Sequence, residues 1–259
     1  MSLLISLAVI PILLSTAHAP QFGVQEKVSV IQLYRVSPLG VYGMFISGMT
    51  IGTFFGMGAV YATEIGLTVR EISFFMGTLI IGGFACQYPI GYLSDNLGRR
   101  PVIIFCCLGG SIFAFIAMKF TGEGWLFYTI AATVGGLAMS LYPLCAGHTN
   151  DYLTPTQMVA ASGTLVLVNA SGAAIGSALT AISMDAFGPH VFYGSLGSIL
   201  SSVAVFTLWR ATRRKQVIPE EKGEFVVLAS SPLSFSLKPD VKLSELEAAI
   251  GVDAEAMQS

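Results

Sequence analysis

The densest group of residues able to do chemistry lies in one short stretch, Gly91-Tyr92-Leu93-Ser94-Asp95-Asn96-Leu97-Gly98-Arg99-Arg100-Pro101. Asp95 stands where a carboxylate can accept from the N-terminal amides of a facing helix, or pair with Arg99, and so latch one face of a bundle. Gly91 lets a neighbouring backbone approach, and Gly98 permits a chain reversal within a few residues. The bland alternative is a tight, positively charged turn with an incidental aspartate. A second polar stretch, Gly147-His148-Thr149-Asn150-Asp151-Tyr152-Leu153-Thr154-Pro155, offers His148 as a proton carrier or as an ordinary interfacial residue. Asp151 and Thr154 in it read as helix-start chemistry. Cys86, Cys106, Cys107 and Cys145 sit in apolar runs without CxxC spacing, as buried thiols do, so neither disulfide nor metal is expected. No nucleophile-base pair, metal cluster or paired carboxylate shares a face, so the chain reads as a non-enzyme without a cofactor.

The elements that must position these residues are set by composition. The 259 residues are 54% hydrophobic and only 11% charged, whereas soluble domains carry about a quarter of their residues as charges. With a mean hydropathy of +0.73, a soluble surface cannot be built, and the lipid bilayer is the partner that covers the excess. Nothing is basic enough to bind nucleic acid. A hydrocarbon core about 30 Å thick needs about 20 apolar helical residues. Six stretches supply them, near 39–62, 72–93, 101–120, 125–146, 161–184 and 190–209. The runs are continuously apolar where barrel strands would alternate. The fold class is therefore all-α, a polytopic membrane helix bundle of six full transmembrane helices plus a partial N-terminal one, residues 1–16. That leading segment reads as the back end of a helix beginning upstream of Met1, with a cleaved signal as the alternative.

Lys27, Arg35, Arg99, Arg100, Arg210, Arg213, Arg214 and Lys215 fall on one side of this topology, and Arg70 and Lys119 on the other. The bias puts the linker 17–38, the loop 94–100, the loop 147–160 and the C-terminus in the cytoplasm. The protein is expected in the cell (inner) membrane. Trp125 and Trp209 then lie at opposite interfaces. Residues 210–259 read as a cytoplasmic, largely disordered tail, acidic from 216 onward, where Ser244 and Glu247 form a possible capping box. Within the bundle 39–209, Gly48, Gly52 and Gly56 recur on one face of the first full span, and Gly172 and Gly176 repeat the pattern in the fifth. Close approach at small residues supplies much of helix association in lipid, so these faces mark tight packing.

The pattern Gly-x-x-x-Asp-x-x-Gly-Arg-Arg, from Gly91 through Asp95 and Gly98 to Arg99 and Arg100, resembles the loop signature of the major facilitator superfamily. Asn96 departs from the basic residue usual after the aspartate. The resemblance implies transport of a small molecule by alternating access, with two six-helix halves rocking about a midplane site. A short apolar segment followed by a basic linker resembles the end of helix six and the central loop, so 39–209 corresponds to helices seven to twelve. Helices one to six is the converse assignment. On the first reading the partner is a missing N-terminal six-helix half, and this chain supplies one wall of the pathway. Phe54, Gln87, Tyr142 and Asn169 are its candidate lining residues, each with a packing role as the alternative. No span carries a carboxylate or histidine at membrane depth, which places proton-coupling groups in the absent half or makes the protein a uniporter. A membrane scaffold acting through its cytoplasmic tail is the alternative function.

Overall fold

The computed structural model describes residues 28–120 and 124–211. The expected partial helix 1–16, the first half of the linker and the tail beyond 211 with its Ser244 capping box lie outside the described residues. Seven helices follow in order: α1 Val30–Val36, α2 Pro38–Glu64, α3 Val69–Leu97, α4 Arg99–Ala117, α5 Trp125–Asn150, α6 Pro155–Phe187 and α7 Val191–Ala211. Helices α2 to α6 are long and apolar enough to cross a membrane. Helix α7 has 21 residues, about 31 Å at 1.5 Å per residue, and its apolar part is Val191–Thr207. All six expected spans are therefore present as helices. Most helices run past the expected limits because hydropathy marks the part that lipid must cover, while polar residues at the ends are equally helical.

Those ends are set by capping boxes. Thr68 receives the Glu71 amide and Glu71 answers to the Thr68 backbone, and Thr154 with Gln157 does the same at the start of α6. Thr154 thus has the helix-start role its type suggested. The same device, Ser29 with Gln32, opens α1 inside the stretch read from sequence only as a linker. Two helices depart from regular geometry. α5 is interrupted at Ser140, three residues before Pro143, whose ring has no N–H and crowds the Met139 carbonyl one turn back. α2 widens into a π-helical turn at Thr53–Met57.

The bundle is built from pairs, α2 against α6, α3 against α5 and α4 against α7. The two glycine faces noted in the sequence meet each other. A methyl group on Gly48 or Gly52 would strike the carbonyls of Asn169 and Ala173, and one on Gly172 or Gly176 would strike those of Phe45 and Met49. Gly56 continues the face against the Ser177 side chain. With the backbones this close, Asn169 Nδ2 donates to the Met44 carbonyl at 3.1 Å, and the Thr53 and Thr180 hydroxyls lie 2.9 Å apart. A second seam, not singled out in the sequence, sets Gly82 of α3 against Ala132 of α5 and Gly135 of α5 against Leu79 of α3. α4 and α7 are joined by the Ser111 hydroxyl, which reaches the Gly197 carbonyl at 3.0 Å. At one end of the bundle Tyr61 stacks on Phe192 with ring centroids 4.6 Å apart, and Phe75 stacks on Phe127 at 5.4 Å. Cys106, Cys107 and Cys145 are buried free thiols and Cys86 is half-buried. α3 and α6 leave the largest part of their surfaces uncovered.

Candidate functional site

The loop that carries the sequence signature is a single residue. α3 ends at Leu97, α4 begins at Arg99, and Gly98 between them has φ 86° and ψ 158°, a region open essentially to glycine alone. This reversal points the first residues of α4 at the ends of neighbouring helices. Arg99 Nε donates to Asp151 Oδ2 at 2.9 Å, and the guanidinium lies across Gly147, where any side chain would collide with it. Of the two roles open to Asp95, pairing with Arg99 is not the one seen: Arg99 turns to Asp151 at the end of α5, and Asp95 is exposed on α3. The reason is direction. Asp95 lies on the last turn of α3, before the glycine, whereas Arg99 opens α4 and its guanidinium reaches the end of α5. Asp151, read from sequence as helix-start chemistry, is the partner that latches α4 to α5 across 52 positions of chain.

Beside this pair, between α3 and α5, lies a cleft of about 320 Å³ lined by Gln87, Ser94, Asp95, Arg99, Ser140 and Tyr142 among others. Its position follows from two prolines. Pro89 sits inside α3, and Pro143 sits beyond the break in α5, so both walls have freed backbone carbonyls where the helices diverge. The Ser94 hydroxyl is buried and has no hydrogen-bond partner. The Ser140 hydroxyl is held by the Gly136 carbonyl at 2.8 Å. A carboxylate, an amide, a phenol and two hydroxyls therefore converge on one apolar-walled space, an arrangement suited to orienting a small polar molecule.

Of the four candidate lining residues, the structure brings Gln87 and Tyr142 together here. Phe54 has the packing role of its two alternatives: at 1% exposure its ring is enclosed in the core, edge-on to Phe192 at 6.5 Å. Its depth along α2 was right for a pathway, but it faces inward. Asn169 is engaged with Met44 and joins α6 to α2. Ser94, Ser140 and Asp151 were the missing members. Ser94 and Asp151 were visible in the sequence as polar residues beside the two loops, whereas Ser140 had no signal beyond its distance from Pro143.

Six apolar helices in paired packing, with a one-residue charged reversal between the second and third, define a multi-pass membrane protein. The chain belongs to the Major Facilitator Superfamily, whose family model matches residues 41–247. It is 26% identical over 219 residues to an uncharacterized MFS-type transporter, YcaD, of Escherichia fergusonii, covering 81% of this chain and 54% of that protein. The YcaD proteins of Escherichia coli strains HS and K12 are 26% identical over 196 residues, covering 74% of this chain and 50% of theirs. The chain thus spans about half the length of the curated relatives it matches. No solved structure matches.

Proposed function

We propose that this chain is the C-terminal six-helix half of a small-molecule secondary transporter, and that the cleft between α3 and α5 forms part of its pathway. The observation that carries the reading is the placement of Gln87, Asp95 and Tyr142 around one cleft, next to the Arg99–Asp151 pair, in a chain of this family. In the proposed orientation the Gly98 reversal, the ion pair and the C-terminus are cytoplasmic, as the Lys and Arg distribution favours. Asp95 then faces the other half, where a helix N-terminus would supply the amides it lacks here. The uncovered faces of α3 and α6 are the surfaces against which that half would rock.

The test is uptake of a panel of small molecules into cells of a transporter-deficient host. The cells carry this chain, an N-terminal six-helix half of a relative, or both. The proposal expects accumulation with both halves together and with neither alone, reduced by Gln87→Ala at unchanged membrane abundance. Accumulation that is indifferent to Gln87→Ala and Tyr142→Phe removes the cleft from the pathway. Uptake by this chain alone contradicts its standing as a half.

A further inference from the structure

α7 packs on α4, α2 and α6, and where those helices leave it open it carries a groove. The groove measures about 510 Å³ and is lined by Ser201, Ser202, Val205 and Phe206, with Val205 exposed. Its hydroxyls are already engaged. That of Ser201 lies 2.6 Å from the Ser111 hydroxyl, and Ser202 donates to the Ile199 carbonyl at 2.6 Å while accepting from Tyr42 at 3.1 Å. The Tyr42 ring sits 4.6 Å from that of Phe206, so α2 closes one flank. What the walls offer a guest is hydrocarbon. Immediately beyond the groove the sequence turns basic. Arg210, Arg213, Arg214 and Lys215 fall within six residues, and no acidic residue occurs between Asp185 and Glu220. α7 stays helical through Ala211, so Arg210 holds the register position four residues after Phe206, about 6 Å further along the axis. The apolar part of α7 ends at Thr207, which puts these cations at the level where hydrocarbon gives way to headgroups.

An apolar groove at membrane depth with a basic cluster one turn beyond it matches the two parts of a single molecule. A lipid with a neutral headgroup fills the groove and leaves the cations to water, while a free phosphate meets the cations and leaves the groove empty. Only an anionic lipid engages both, because clustered Lys and Arg immediately past a membrane helix attract anionic headgroups. Topology alone accounts for basic residues at a helix end, but it asks for no groove at that same end. We propose that the Phe206 end of α7 is a binding site for one anionic phospholipid, with an acyl chain in the groove and the phosphate against Arg210, Arg213, Arg214 and Lys215. The bound chain bridges α7 and α2 through Phe206 and Tyr42. The site is independent of the transport reading, because none of its residues lines the cleft.

The experiment is a thermal melt of the purified full chain in neutral detergent. Unfolding is read by reaction of the buried Cys106, Cys107 and Cys145 with a thiol-reactive dye. Phosphatidylglycerol is titrated against phosphatidylcholine of the same chains, and glycerol phosphate serves as a headgroup without chains. The expected result is a saturable rise of the melting temperature with phosphatidylglycerol, absent over the same range with the other two. Arg213→Gln together with Arg214→Gln should raise the half-saturating concentration about 30-fold, roughly fivefold for each cation. Val205→Trp, which fills the groove from an exposed position, should remove the saturation. An equal rise with phosphatidylglycerol and phosphatidylcholine overturns the proposal, and so does an equal rise with glycerol phosphate, which needs the cations but no groove. The arginine substitutions lie outside the apolar stretch Val191–Thr207, so they read binding even where Val205→Trp does not fold. An unchanged half-saturating concentration in either variant also overturns the site.

Discussion

Replacing Gly52 by alanine tests the packing of α2 on α6 with a single methyl group. That methyl would lie 2.6 Å from the carbonyl carbon and 2.7 Å from the Cα of Ala173, where ordinary contacts are 3.4–4 Å. Both opposing atoms are backbone, so no rotamer change relieves the clash, and α6 must retreat by about 1 Å at that level. A gap of that size forfeits roughly a quarter to a half of each dispersion contact along the seam. It also stretches the Asn169–Met44 and Thr53–Thr180 hydrogen bonds, each worth about 0.6 kcal/mol in a membrane bundle. With overpacking costs of about 1–3 kcal/mol, the total is about 2–4 kcal/mol. The control is Gly77→Ala on α3, where nothing lies within 4 Å and better helix propensity should make the change neutral or favourable by up to about 1 kcal/mol. Unfolding of both variants by sodium dodecyl sulfate in mixed micelles, followed by loss of helical signal, gives the comparison. Equal stability of Gly52→Ala and Gly77→Ala would refute the close approach of α2 and α6.

Two further outcomes follow from the signature loop. Gly98→Ala forces a side chain into the backbone region at φ 86°, ψ 158° and should cost about 1–3 kcal/mol, measured in the same unfolding assay; a neutral result would mean that the reversal between α3 and α4 has another geometry. The Arg99–Asp151 pair is partly open to solvent, at 29% and 20% side-chain exposure, so a double-mutant cycle with Arg99→Ala and Asp151→Ala should give a coupling of about 0.2–1 kcal/mol that shrinks in high salt. The same cycle run on Arg99 and Asp95 should give less, and the reverse order would restore the local pairing.

Features legible in the sequence were those written in short, local patterns. The six apolar runs became helices, because a helix alone satisfies every backbone group within its own segment in hydrocarbon, and the runs lack the alternation of barrel strands. Gly48, Gly52 and Gly56 found Gly172 and Gly176 because a small-residue face in lipid needs a matching one. Thr154 capped α6 because its partner is only three residues away. Where function requires long-range partners, the sequence was silent. Nothing near Arg99 announces that its carboxylate is Asp151, 52 positions on. The second seam escaped notice because Gly82-Gly83 and Gly135-Gly136 are doublets, without the four-residue recurrence that signals a helix face. For Phe54 the sequence left lining and packing open because depth along a helix can be counted from residue numbers, whereas the side on which a ring lands depends on which neighbour packs there, and here on a π-helical turn with no sequence signal of its own.

The proposed carrier half joins its partner half through α3 and α6. Cysteine cross-linking to a co-expressed N-terminal half of a relative measures this directly, with reporters at Tyr88 on α3 and Leu167 on α6, and at Phe105 and Ile112 on α4, all four exposed. Cross-links from Tyr88→Cys and Leu167→Cys, with none from Phe105→Cys or Ile112→Cys, are the predicted result. Cross-links confined to α4, or equal from all four positions, would contradict it.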